Sequence, residues 1–160
     1  NGMEWCAGFR RGESQLEVKF CDPRDRRQRF DIEELDGGQG VLFHPAGKMN
    51  RCVQLGLREH GRRLRVDRCA PITEGGDRIV KENHQVWNFP KKNGIPDGLV
   101  TMDGANATTA DELRVTSRGK MENGKYLIVK TKKRADDALE KGREIIDQWH
   151  VVKRTFPETA

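Results

Sequence analysis

Residues 84–89, HQVWNF, place a glutamine two positions before a tryptophan and an apolar residue two positions after it. The same polar, aromatic and apolar arrangement recurs upstream in residues 28–32, QRFDI, and downstream in residues 147–151, DQWHV. A period of two is typical of a strand with one buried face. The sequence therefore predicts three equivalent strands whose aromatic residues are buried in one core. These aromatic residues are Phe30, Trp87 and Trp149.

A second repeated element precedes each aromatic strand. The segments LEVKFC, LRVDRC and LIVKTK begin at Leu16, Leu64 and Leu127, and each has apolar residues at its first and third positions. Each follows an apolar segment that runs into a charged, glycine-containing turn, so each pair of segments predicts a hairpin. The predicted hairpins lie near residues 5–20, 52–68 and 113–131. Internal repetition in 160 residues indicates one repeated all-β domain.

The cysteines are placed around the first two hairpins. Cys6 and Cys21 bracket the first hairpin, and Cys52 and Cys69 bracket the second. None forms a CxxC motif, so the pattern favours disulfides over zinc or thioredoxin-type chemistry. Four cysteines allow three pairings. The alternative is four free buried thiols in a reducing compartment.

The repeats resemble those of the ricin B-type lectin family, a β-trefoil of three subdomains that each end in a Gln-x-Trp element. The segments QRF, QVW and DQW, the two cysteine pairs and HPAGKMNRCV at residues 44–53 carry the resemblance, which covers nearly the whole chain. It implies one all-β trefoil domain over residues 1–160. With it, we expect each cysteine pair to join the two arms of its own hairpin. The implied repeats span about 1–36, 37–94 and 95–154.

The chain departs from the family pattern at three places. Phe30 replaces a tryptophan, and Asp147 replaces a glutamine. The third repeat has no cysteines and places Val115 and Lys132 at the corresponding positions.

The resemblance also implies a shallow sugar pocket in each repeat. In the family, an aspartate two residues after the first cysteine accepts hydrogen bonds from hydroxyls, and an aromatic residue two before the second cysteine stacks on the sugar. An asparagine before the Gln-x-Trp glutamine completes the set. The corresponding residues here are Gly8, Lys19 and Arg27 in the first repeat, Gln54, Asp67 and His84 in the second, and Ser117, Lys130 and Ile146 in the third.

No repeat keeps the family's carboxylate or aromatic residue at its place. Only Gln54, Asp67 and His84 provide hydrogen-bonding groups at all three positions, so they are the candidate glycan pocket. The alternative is three exposed polar side chains on a charged surface.

Basic residues are concentrated in two of the hairpins. Residues 118–134 hold seven Lys or Arg and one Glu, and residues 51–68 hold six against two, within a chain of net charge +5. If the hairpins gather at one end, these charges favour an anionic polysaccharide, phospholipid headgroups or nucleic acid. The alternative is a solvated surface of mixed charge, because acidic segments lie between the basic ones. The anionic-ligand candidates are Lys130, Lys132, Lys133 and Arg134.

Several function classes find no support in the sequence. Tyr126 is the one aromatic residue in the most basic stretch, which argues against nucleic acid. There is no phosphate loop, serine elbow or metal-type histidine spacing, so we expect no enzyme activity, cofactor or metal. No apolar run is long enough to span a bilayer.

The remaining interpretation is an extracellular or secretory-lumen module. The paired cysteines favour this setting, as does the N-glycosylation acceptor at Asn106. We expect a non-catalytic, lectin-like module that binds an anionic carbohydrate, either alone or within a larger protein. The alternative is a protein-interaction or structural module on a lectin-like scaffold that has lost sugar binding.

Overall fold

The computed structural model of the chain describes residues 5–10, 14–35, 38, 40–70, 84–103, 112–117, 122–131, 134 and 148–151. Within these residues nearly all the secondary structure is β, and Arg26–Gln28 form a 3-10 turn. The all-β prediction is confirmed. The strands are β1 (Trp5–Phe9), β2 (Leu16–Phe20), β3 (Phe30–Glu34), β4 (Val41–Pro45), β5 (Arg51–Gln54), β6 (Arg65–Arg68), β7 (Lys91–Lys92), β8 (Ile95–Gly98), β9 (Thr101–Asp103), β10 (Glu112–Ser117), β11 (Leu127–Thr131) and β12 (Trp149–His150).

Three antiparallel hairpins lie where the sequence predicts them. They are formed by β1 with β2, β5 with β6, and β10 with β11. The Cys6–Cys21 disulfide joins the arms of the first hairpin, and the Cys52–Cys69 disulfide joins those of the second. Both predicted pairings are therefore present, and they are compatible with an extracellular protein.

The second arm of each hairpin is the one that begins at Leu16, Leu64 or Leu127. The three second arms meet at these residues. The Leu16 amide donates to the carbonyl oxygen of Leu64 at 3.2 Å, and the Leu64 amide donates to that of Leu127 at 3.0 Å. The Val18 amide donates to the carbonyl oxygen of Lys125 at 2.7 Å, which connects the third hairpin back to the first. The three leucines that mark the repeat in the sequence thus lie at a common junction.

The remaining strands connect the hairpins in small sheets. β3 pairs with β4, β9 adds to the third hairpin beside β10, and β12, β8 and β7 form a three-stranded sheet. Trp87 and Val41 exchange two backbone hydrogen bonds of 2.8 and 2.9 Å, which attach the second aromatic segment to β4. The second aromatic segment is likewise attached to β9, because Asn88 and Thr101 exchange two backbone hydrogen bonds of 2.7 and 2.9 Å.

One hydrophobic cluster contains the core. It includes apolar residues from all three second arms, and Trp87 within it is completely buried. Phe30 and Trp149 are partly buried and pack against the same cluster. The predicted common core for the three aromatic residues is confirmed, although only Trp87 is fully enclosed. A smaller cluster contains Leu42 and the Cys52–Cys69 disulfide.

Candidate functional site

The glutamine of the aromatic repeat closes the end of the second arm in the first two repeats. Gln85 Nε2 donates to the carbonyl oxygen of Arg68 at 2.8 Å, and its Oε1 accepts from the Ala70 amide at 2.8 Å. These two residues flank Cys69. In the first repeat, Gln28 makes the same two bonds around Cys21, to the Phe20 carbonyl oxygen at 2.9 Å and from the Asp22 amide at 2.8 Å. The repeated glutamine therefore holds the backbone on both sides of a disulfide cysteine.

The second repeat brings two of its three predicted pocket residues together. Gln54 Nε2 donates to Asp67 Oδ2 at 3.4 Å, and Gln54 Oε1 accepts from Gln85 Nε2 at 2.9 Å. His84 instead directs Nδ1 at the carbonyl oxygen of Leu55, 3.0 Å away. Gln54 and Asp67 thus form a polar pair at the surface, already hydrogen-bonded to each other, and His84 is tied to backbone beside them.

In the first repeat, the Lys19 side chain occupies the space at the first predicted pocket position, Gly8. A Cβ atom at Gly8 would lie 3.0 Å from Lys19 Cδ, so the lysine chain covers the glycine. Lys19 Nζ lies 3.3 Å from Asp25 Oδ2, and Arg27 Nε lies 3.1 Å from Asp25 Oδ1. Burial acts to raise the pKa of Asp25, but hydrogen bonds from Arg27 and Lys19 prevail and lower it below its ordinary value. Lys19 and Arg27 are therefore both paired with the Asp25 carboxylate.

The strand register changes the alignment of the third repeat with the other two by one residue, relative to the alignment predicted from the sequence. Cys6 stands opposite Lys19 and Cys52 opposite Asp67, and it is Arg114 that stands opposite Lys130. Arg114, not Val115, therefore occupies the first cysteine position. The first pocket position falls on Thr116 rather than Ser117, and both side chains are fully buried. No open sugar pocket can form from that position.

The turn of the second hairpin lies beside basic residues at the end of the third hairpin. The loop between β5 and β6 runs along β11, where the Gly61 amide donates to the carbonyl oxygen of Val129 at 2.7 Å. His60 Nδ1 accepts from the Thr131 amide at 3.2 Å. Partial burial and the charges of Arg134 and Lys130 lower the pKa of His60 below its ordinary value. We call His60, Lys130 and Arg134 the basic junction.

A second group of basic residues lies where the second arms begin, and it was not singled out from the sequence. The guanidinium carbons of Arg63 and Arg10 lie 3.8 and 4.6 Å from the ring centroid of Tyr126. Arg63 also donates from Nη1 to Gln15 Oε1 at 3.3 Å. Arg10 Nε lies 3.4 Å from the buried carboxylate of Glu17. These contacts hold both arginines inside the structure's own network, so we regard the group as a packing element.

The sequence did contain one indication of that group, which is the position of its residues relative to the repeated leucines. Gln15, Arg63 and Tyr126 each directly precede the leucine that begins a second arm. Because the three leucines meet, the preceding residues meet as well. The differing residue types concealed this equivalence.

Some predicted residues fall outside the described part of the chain. They are Lys132 and Lys133 of the basic stretch, the glycosylation acceptor Asn106, and Ile146 and Asp147 of the third repeat. Within the described part, no helix is both long and apolar enough to cross a membrane. Comparison with protein-family models, curated proteins and solved structures found no match to this chain.

Proposed function

We propose that the protein is a non-catalytic, lectin-like binding module that recognises an anionic glycan at the basic junction. The observation that carries the proposal is the contact between hairpins, in which His60 accepts a hydrogen bond from the Thr131 amide beside Lys130 and Arg134. The charges of Lys130 and Arg134 thereby lie beside a turn of the second hairpin, which has six basic residues of its own. A sulfated or carboxylated polysaccharide offers the repeated negative charges that such a surface attracts.

A β-trefoil arrangement is the fold that we propose for this module. It is supported by three hairpins whose second arms meet, by two equivalent disulfides and by the repeated glutamine contacts. It is further supported by two tryptophans with the same hydrogen bond, Trp87 to the carbonyl oxygen of Val53 and Trp149 to that of Val115. Both bonds span 34 residues of sequence. An extracellular or secretory-lumen location belongs to the same proposal, on the support of the disulfides.

An ionic mode of binding is favoured over a neutral sugar pocket by the state of the pocket positions. Lys19 and Arg27 are paired with Asp25 in the first repeat, and Thr116 is buried in the third. In the second repeat, Gln54 and Asp67 are hydrogen-bonded to each other, so a sugar hydroxyl would have to replace an existing bond.

The test is binding to heparin-like sulfated oligosaccharides and to neutral oligosaccharides over a series of salt concentrations. We expect the sulfated ligand to bind and its affinity to fall steeply as salt is added, because exposed charges are screened. Lys130→Gln with Arg134→Gln should weaken binding by about tenfold, equivalent to about 1.4 kcal/mol. The variant with Lys132→Gln and Lys133→Gln added should lose most binding. Arg134 is exposed, so its substitution should change the free energy of unfolding little, since exposed charges contribute little to stability.

The matched control is Lys48→Gln with Lys92→Gln, which removes the same charge from exposed positions elsewhere. Equal losses in the control and the junction variant would show a nonspecific charge effect and refute the proposed site. Binding of a neutral sugar, insensitive to salt and abolished by Gln54→Ala or Asp67→Ala, would move the site to the second repeat. If neither class of glycan bound at physiological salt, the lectin proposal would be abandoned for a protein-interaction module.

A further inference from the structure

We propose that reduction of the Cys52–Cys69 disulfide creates a binding site for a soft divalent cation such as zinc, with Cys52, Cys69 and His44 as ligands. In the described part of the chain, these residues form a group whose ligand atoms all lie within 4.8 Å of one another. They come from β4, β5 and the residue after β6, so their sequence spacing gave no metal pattern. The proposal is independent of glycan binding.

The nitrogen and the two sulfurs already stand at suitable separations. His44 Nδ1 lies 3.5 Å from Cys69 Sγ and 3.7 Å from Cys52 Sγ. In a tetrahedral zinc site with Zn–S bonds of about 2.3 Å and Zn–N bonds of about 2.0 Å, nitrogen and sulfur ligands stand about 3.5 Å apart. The same geometry separates two sulfurs by about 3.8 Å. Only the distance between the sulfurs has to change, and breaking their bond permits that change.

The opposite side of the histidine ring is oriented as in many metal sites. His44 Nε2 lies 3.1 Å from Glu33 Oε1. Metal-binding histidines usually donate their other ring N–H to a carboxylate or carbonyl group, which fixes the tautomer and the ring direction. With the proton on Nε2 directed at Glu33, Nδ1 can bind a cation between the two sulfurs. In the disulfide form, Nδ1 instead lies 2.7 Å from the carbonyl oxygen of Arg51.

Burial of the reduced cysteines favours cation binding. His44 and Cys52 are 0% exposed and Cys69 is 7% exposed. Leu42 packs in the same cluster, with Leu35 and Val86 against it. Two thiolates in such surroundings are unfavourable without a compensating charge, and a divalent cation supplies that charge. The fourth coordination position is left for a water molecule or a backbone oxygen.

The reaction balances in two steps. A phosphine reductant gives two electrons to the disulfide, the S–S bond breaks, and each sulfur takes a proton, while the phosphine gains an oxygen atom from water and becomes a phosphine oxide. The cation then replaces the two thiol protons, which are released, as Cys52 and Cys69 bind as thiolates. His44 binds through Nδ1 without its proton and keeps the proton on Nε2 for Glu33.

The test uses the full chain reduced with tris(2-carboxyethyl)phosphine and titrated with Co²⁺, followed by competition with Zn²⁺. We expect one equivalent of Co²⁺ to bind with a thiolate-to-cobalt charge-transfer band and the visible spectrum of tetrahedral cobalt. The oxidised protein should show neither signal. Cys6→Ser with Cys21→Ser should retain the signal, and Cys52→Ser with Cys69→Ser should lose it, so each pair is the control for the other.

The histidine and its carboxylate provide a further test. His44→Gln should abolish the tetrahedral spectrum, and Glu33→Gln should weaken affinity by about 10–100-fold while keeping the spectrum. Circular dichroism of each reduced variant identifies any that unfolds. Equal affinity in denaturant, loss of fold on reduction without recovery by Zn²⁺, or a signal that persists without Cys52 and Cys69 would overturn the proposal.

Discussion

Trp87 and Val53, thirty-four residues apart, are joined by a hydrogen bond of 3.0 Å from the indole Nε1 to the backbone carbonyl oxygen. Trp149 makes the same bond to Val115, at 3.1 Å and at the same separation. An aromatic residue at this position therefore both fills the core and satisfies a strand carbonyl. Phe30 occupies the equivalent position in the first repeat, and its side chain has no N–H group to donate.

Removing the Trp87 side chain is expected to destabilise the protein strongly. Trp87→Ala should lower the free energy of unfolding by about 3–5 kcal/mol, because a completely buried indole is replaced by a cavity. Trp87→Phe should cost less, because it keeps most of the volume and loses the bond to Val53. Denaturant unfolding measures both. A loss below about 1 kcal/mol for Trp87→Ala would contradict its place in the core.

The repeated glutamine is expected to be structural. Gln85→Ala should lower the free energy of unfolding by about 1–3 kcal/mol, because the Arg68 carbonyl and the Ala70 amide lose their partner. The matched control is Gln148→Ala, where an exposed glutamine is removed at little cost. Thermal unfolding monitored by circular dichroism compares the two. Equal melting temperatures would refute the structural role.

Gly40 is expected to tolerate no side chain. Its φ is +131°, and a Cβ atom there would lie 2.6 Å from the Trp87 carbonyl oxygen and 2.7 Å from Val86 Cγ1. Gly40→Ala should therefore disturb the pairing of β4 with the second aromatic segment and cost about 2–3 kcal/mol. Gly47→Ala is the control, since Gly47 also has positive φ but nothing within 4 Å of its Cβ position, and it should cost about 1 kcal/mol. Denaturant unfolding that ranks the two in the opposite order would contradict the contact.

The basic junction is expected to make stability depend on pH. A histidine whose pKa is lowered on folding binds its proton more readily in the unfolded chain, so its contribution is complete above the ordinary value of 6.5 and is lost as the pH falls through the lowered pKa. His60→Gln keeps an acceptor for the Thr131 amide but cannot titrate. Its free energy of unfolding should fall less than that of the wild type between about pH 7.5 and about pH 5.5.

The same group is expected to couple binding to protons. An anion at the basic junction offsets the charges of Lys130 and Arg134, which allows His60 to take up a proton on Nδ1 in place of the hydrogen bond from the Thr131 amide. Affinity for a sulfated oligosaccharide should then increase as the pH falls from about 7.5 to about 6, and His60→Gln should remove that increase. His150→Gln, at an exposed position on β12, is the control. Calorimetry in buffers of different ionisation enthalpy that detects no proton uptake would count against this coupling.

The strands and covalent links could be predicted because they depend on local patterns. Alternation from Leu16, Leu64 and Leu127 located the second arms, and placement of the cysteines around single hairpins gave both disulfides. The register of the third hairpin could not be obtained in this way. The third hairpin has no cysteines to mark the equivalent positions, and a shift of one residue exchanges the two faces of a strand, so the pairing of Arg114 with Lys130 is what determines the alignment.

The candidate site was less predictable because it depends on contacts between repeats. The basic composition of two hairpins was visible, but its convergence depends on the turn containing His60 lying along β11. Neutralisation of Lys19 and Arg27 depends likewise on Asp25, whose position follows from the 3-10 turn that it caps. The group around His44 draws on three separate strands or strand ends.

The meeting of Gln15, Arg63 and Tyr126 limits how far the three repeats can substitute for one another. In this chain the Gln15 amide lies beside the Arg63 guanidinium group, which in turn lies on the Tyr126 ring. Three copies of the second repeat would bring three guanidinium groups to the same point, where like charges repel. Three copies of the third would bring together three rings with no cation between them. A symmetric protein built from one repeat would therefore need new residues at this position.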